Sequence, residues 1–144
     1  MNQGSYRNKY RANFRMIEAE LYSYHESLKE IETIKNDIIY STASKEVNGH
    51  TGPGNPTLSK ICTIIADYEL AEQERRCNAI KKVINKLEQN YPLVKKLVTD
   101  KYFAKIGSDK IICTTNNIAE ATFYRWRRFV IHQIAAELGW RVQV

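Results

Sequence analysis

An apolar repeat near the N-terminus constrains this chain more than any other feature. Phe14, Ile17, Leu21, Tyr24, Leu28, Ile31 and Ile38 follow one another at intervals of 3, 4, 3, 4, 3 and 7, with Lys35 in the one open slot. That is a heptad seam, and it predicts a helix from an N-cap at Asn13 to about residue 40. Twenty-eight residues of helix span about 42 Å at ~1.5 Å per residue. A rod of this length buries one face only if a second helix lies along it. The chain supplies one. Thr57 reads as an N-cap, and Leu58, Ile61, Ile65 and Tyr68, then Cys77, Ile80, Ile84 and Leu87, keep the same 3 and 4 spacing to about Asn90. The polar run Glu72-Gln73-Glu74-Arg75-Arg76 shifts the phase between the two sets, which predicts a stutter or a change of partner surface. The stretch Ser44 to Pro56, with three glycines and two prolines, reads as a loop between the rods. The expected architecture is all-α, a long antiparallel coiled-coil hairpin over 13–90. Such seams also suit self-association into a homo-oligomer, with a dimer the simplest outcome.

Residues 1–12 are polar and basic without periodicity and read as a flexible tail. After the hairpin, Asn90-Tyr91-Pro92 ends the second helix. Pro92 suits the first position of a third, whose apolar face is Leu93, Val94, Leu97, Val98 and Tyr102 or Phe103. Ile106-Gly107-Ser108 reads as a turn, and Ser108 or Asp109 caps a short fourth helix near 109–115. Asn116-Asn117 reads as a second turn because asparagine tolerates left-handed backbone angles. A fifth helix follows from about Ala119 to Leu138, with Gly139 at its stop and Trp140 packing back.

The short helix, the polar turn and the longer basic helix together form a helix-turn-helix pattern, a DNA-binding unit over 91–144. Charge agrees. The net +6 is distributed as +3 over residues 1–12, −2 over 13–91 and +5 over 92–144, so double-stranded DNA is the implied partner of the C-terminal end. On the fifth helix Phe123, Val130, Ile134 and Leu138 share one side, with Trp126 at its border. Glu120, Ala121, Tyr124, Arg125 and Arg128 share the other, and Arg127 completes the arginine cluster. A recognition helix reads bases with its N-terminal half. The arginines suit guanine edges or phosphates. Thr115, Thr122 and the free amides at the helix start suit phosphate oxygens, and Lys101, Lys105 and Lys110 add nonspecific contacts.

Several classes find no support in the residues. Hydrophobic residues at 43% and charged residues at 26% are those of a folded chain rather than a disordered one. No apolar run approaches the ~18 residues of a membrane span, and no apolar h-region opens the chain, so membrane association and export are not expected. Cys62, Cys77 and Cys113 are widely spaced from one another and from His25, His50 and His132. Free thiols in a reducing cytoplasm are therefore expected, and no metal site. The Gly/Pro loop has no Gly-Lys-Ser/Thr after it and no strand before it, so it does not predict a nucleotide site. No carboxylate pair or Cys/His dyad has usable spacing; neither an enzyme nor a cofactor is expected.

The segment Ile118 to Arg128, followed by Ile134-Ala135-Ala136-Glu137-Leu138-Gly139-Trp140-Arg141, resembles the C-terminal signature of RinA/ArpU-type phage transcriptional activators of Gram-positive bacteria. Ile17 to Glu26, Asp37 to Thr42 and the loop ending in Asn55-Pro56-Thr57 are similar to the N-terminal part of that family. The resemblance covers most of residues 14–141. It departs at Ala119, where the family often has serine, and over Gly107 to Asn117. It implies a DNA-binding part like region 4 of sigma-70-type factors, activation of phage late genes, engagement of host RNA polymerase, and a place in the bacterial cytoplasm. The alternative is a small-terminase-like packaging or scaffold protein, also helical with a helix-turn-helix.

Overall fold

A computed structural model describes residues 3–45 and 56–142, and every regular element among them is helical. The order is α1 (Gln3–Lys45), α2 (Pro56–Asn90), α3 (Pro92–Val98), a five-residue π turn (Thr99–Phe103), α4 (Asp109–Thr115) and α5 (Glu120–Leu138). Most of the Gly/Pro loop predicted from Ser44 to Pro56, namely residues 46–55, lies outside the described residues. Ser44 and Pro56 themselves are helical.

Helix α1 begins ten residues before the expected cap. The reading of residues 1–12 as a flexible tail is corrected from Gln3 onward, and Asn13 caps nothing. Its side-chain Nδ2 donates to the Arg141 carbonyl at 2.9 Å, beyond the end of α5. Tyr6 and Tyr10, one turn apart, line a shallow depression with Gly139, Trp140 and Arg141. Local periodicity cannot detect this proximity to the end of α5.

Helices α1 and α2 run antiparallel. Arg76 meets Glu20 at 3.1 Å and Gln73 donates to Glu30 at 3.0 Å, while Lys35 pairs with Glu74. The seam of α1 is buried at Phe14, Ile17, Leu21, Tyr24 and Ile31. Leu28 is 39% exposed, and the buried position between Tyr24 and Ile31 belongs to Ser27. At ~100° per residue Leu28 still falls on the same side of α1 as the rest of the seam, so the segments packed on α1, and not the helical period, leave it exposed. From α2 the core receives Cys77, Ile80, Val83 and Leu87; Leu58, Ile61, Ile65 and Tyr68 stay exposed. The polar run 72–76 marks the switch from exposed to buried seam.

Pro92 opens α3, as its missing amide and fixed φ favour. Val94, Leu97 and Val98 face inward, but Leu93 is exposed. The third helix does not run unbroken to Phe103. It widens into the π turn, in which the Ala104 amide reaches back to the Thr99 carbonyl at 2.7 Å. Helix α5 crosses α1, α2 and α3 and buries Phe123, Val130, Ile131, Ile134, Ala135 and Leu138. It stops at Gly139 (φ 71°), a left-handed position that glycine occupies without Cβ strain. Arg75 donates to the Leu138 carbonyl at 3.1 Å, and the Trp140 amide returns to Ala135 at 2.8 Å.

These packings separate two leucines that the sequence treats alike. Leu21→Ala is expected to lower stability by about 2–5 kcal/mol through lost burial and a residual cavity. Leu28→Ala is expected to change it by less than about 1 kcal/mol. Urea denaturation of both variants checks the assignment; equal losses would restore Leu28 to the seam.

Candidate nucleic-acid interface

The candidate site is built from α4, the turn after it and the first half of α5. Ser108 caps α4 by accepting the Ile111 amide at 3.4 Å, and α4 buries Ile112 and Cys113. Asn116 leaves the helix, and Asn117 takes the left-handed region at φ 53°. The Asn117 and Ile118 amides return to the Thr114 and Cys113 carbonyls at 3.2 and 3.0 Å. Asparagine tolerates this conformation better than other residues with a Cβ, so the expected turn forms where it was placed.

The turn is also held from outside. The Asn116 side chain donates to Asp100 at 3.1 Å and to the Ile112 carbonyl at 2.9 Å, and it accepts Lys96 at 2.5 Å. Lys96 reaches Asp100 as well, at 3.1 Å. Ala119, at the N-cap of α5, has no side-chain acceptor. The leading amides of α5 therefore lack a side-chain cap. Leu97, Ile112, Cys113 and Phe123 close a small core beneath the turn, with Ile118 and Trp126 packed on it.

Two cations expected at the interface are engaged inside the fold. Arg127 makes a two-pronged pair with Glu18 of α1, Nε and Nη2 each at 2.7 Å, and its guanidinium lies 5.3 Å from the centre of the Phe14 ring. Tyr102 donates to the same carboxylate at 2.9 Å. Burial alone would raise the pKa of Glu18, but the hydrogen bonds from Arg127 and Tyr102 outweigh it and hold the carboxyl below its usual range. Lys101, with its side chain 10% exposed, pairs with Asp109. Its ammonium sits 5.9, 5.5 and 5.8 Å from the rings of Tyr22, Tyr102 and Phe123. Burial works against that charge, but the hydrogen bond to Asp109 prevails and raises the pKa. Arg127 and Lys101 are thus corrected from surface contacts to internal ties.

The remaining residues lie at the surface. Tyr124, Arg125 and Arg128 are exposed and, with Ala121, line an open depression on α5. Glu120, Lys110 and Thr115 are exposed and Thr122 is half-buried. The Thr115 hydroxyl already donates to the Ile111 carbonyl at 2.8 Å, so it faces an incoming group as an acceptor. Lys95 and Lys96 are paired with Glu88 and Asp100. Among the described residues Lys105, Lys110, Arg125, Arg128 and Arg141 carry no ion pair, so these five present the positive charge of the C-terminal part. The sequence reading did not find Glu18, whose role depends on Arg127 more than a hundred positions away. An acidic residue beside a heptad seam is an ordinary solvated position by pattern alone. No group of His, Cys, Asp and Glu suited to a metal occurs among the described residues. No helix among them is long and apolar enough to cross a membrane.

No protein-family model, no curated protein and no solved structure matches this chain.

Two outcomes follow from this geometry. Because the folded pKa of Glu18 lies below its unfolded value, the contribution of the tie is complete above about pH 4.3 and is lost as pH falls through the folded value. Glu18→Gln is expected to lower stability by about 2–3 kcal/mol at pH 7, with a smaller difference from the parent near pH 3. Denaturation at both pH values checks it; a gap that widens in acid would contradict the sign. Separately, Asn117→Val is expected to cost about 1–2 kcal/mol and Asn117→Gly close to nothing, by thermal unfolding. A tolerated valine would rule out the left-handed turn.

Proposed function

We propose that this protein binds double-stranded DNA sequence-specifically through the N-terminal half of α5, as a transcriptional regulator and not as an enzyme. One observation carries the reading. Tyr124, Arg125 and Arg128 stand together on the outer face of a helix whose inner face is locked into the core, directly after a short helix and a tight turn. Two exposed arginines and an aromatic on the leading turns of such a helix are the chemistry that reads guanine edges and phosphates in a major groove. Uncapped amides at the start of α5 add donors for a phosphate oxygen. Lys110 and Lys105, both exposed, offer supplementary phosphate contacts.

The resemblance to RinA/ArpU-type activators narrows the proposal to a regulator of phage or prophage late genes. Such a protein works on DNA in the bacterial cytoplasm and engages host RNA polymerase.

Selection of duplexes from a random pool, followed by anisotropy titration on the enriched site, tests the reading. Arg125→Ala is expected to weaken binding to the selected site by about 1–3 kcal/mol, and Arg128→Ala to reduce the salt slope by about one unit if it meets a phosphate. Arg127→Ala is expected to lower the melting temperature, because it leaves Glu18 without its cation. No enriched sequence and no duplex binding in dilute salt would overturn the proposal.

A further inference from the structure

Beyond the polar run 72–76, α2 carries a row of large apolar side chains that the other described residues do not cover. Ile61, Ile64, Ile65 and Tyr68 are 48%, 67%, 53% and 68% exposed. At ~100° per residue these four fall within an arc of about 100°, the width of an ordinary buried helix face. The row is not a continuation of the face that packs on α1. By the same arithmetic, the mean direction of Cys77, Ala79, Ile80, Val83 and Leu87 lies roughly 80° further round the helix. The phase shift turns the upper row of α2 away from α1. Helix α1 leaves its own outer side chains uncovered at the same end, with Ile39 and Tyr40 64% and 75% exposed.

We infer that this surface is the interface between two copies of the chain, related by a two-fold axis that packs the Ile61–Tyr68 row of one on the same row of the other. Three observations select a second copy as the occupant. The first is size. Taking ~150–250 Å² for a whole large side chain, the four residues of α2 expose about 500 Å². Two such rows facing each other would remove about 1,000 Å² in all, the lower end of a specific interface. The second is charge. Residues 32–45 and 56–69 hold Lys35, Lys45 and Lys60 against Glu32, Asp37, Asp67 and Glu69. This end is almost neutral and can meet its own image without repulsion, unlike residues 92–144 at +5. The third is the composition of what joins the two helices here. Residues 46–55 contain two apolar side chains, Val47 and Pro53, little apolar surface against a row of four large ones. A row that pairs with itself is also the simplest closed solution, since an isologous contact terminates at two copies.

The inference does not depend on DNA binding, and its test is separable from that reading. The full chain in physiological salt is expected to sediment at twice its 16.8 kDa mass at micromolar concentration. Ile61→Glu with Ile65→Glu is expected to raise the dimer dissociation constant by roughly 100-fold or more, because charges would enter an apolar contact. Helicity and melting of the monomer should be kept, since both positions are exposed in it. Should that variant lose helicity, Ile64→Ser with Tyr68→Ser removes the same surface without adding charge. A wild type that sediments as a monomer throughout, a larger closed ring, or a dimer that survives both pairs of substitutions would overturn the inference. The monomeric variant is expected to bind a half-site as the parent does. Loss of all duplex binding by the wild type would count against the DNA reading and leave the interface untouched.

Discussion

The arrangement depends on one partly buried ion pair. Glu18 of α1 receives Arg127 of α5 through two hydrogen bonds and Tyr102 of the π turn through a third. A carboxylate taken from water has to recover its hydration from fixed donors, and three donors from two other segments do so here. Removing any one leaves the others with an unmatched polar group. The tie therefore holds the relative roll of the helices more tightly than apolar packing would, because packing tolerates small rotations and a forked hydrogen bond does not. With Arg127 turned inward, Arg128 lies about 100° and Arg125 about 160° round the helix, at ~100° per residue. Consecutive arginines thereby have opposite tasks.

Lys101 plays the same part beside this tie. It spans Asp109 at the start of α4 and three aromatic rings, so the position of α4 is set by a cation that is almost out of solvent. The Asn116–Asp100–Lys96 network then pins the turn between α4 and α5. Each end of the two-helix unit is anchored by polar contacts to elements outside it. The entropy of positioning the unit is met by folding, so little ordering remains to oppose a ligand on its surface.

Much of this was legible in the residues. The period of the seams gave the long helices, Pro92 and Gly139 gave two boundaries, and Asn116-Asn117 gave the turn. The core face of α5 was visible because Phe123, Val130, Ile134 and Leu138 recur at helical spacing. What was not legible is what tertiary contact decides. Leu28 and Ser27 compete for one seam position, and the segments packed on α1, not the pattern, choose between them. Tyr6 and Tyr10 share a depression with Gly139, Trp140 and Arg141, a proximity that no local pattern announces. Arg127 cannot be told from Arg125 and Arg128 without knowing that Glu18 stands opposite. An arginine cluster in a sequence counts charges, whereas a structure divides them into those that hold the fold and those left facing outward.

The division of the arginines is the central claim, and it has a direct readout. In the 15N spectrum of the arginine side chains, titration with a selected duplex in dilute salt is expected to shift the Nε–H signals of Arg125 and Arg128. The Nε–H of Arg127, bonded to Glu18, is expected to stay where it is. Perturbation of Arg127 with Arg125 and Arg128 unmoved would contradict the account, because the helix would then present the opposite face to its partner.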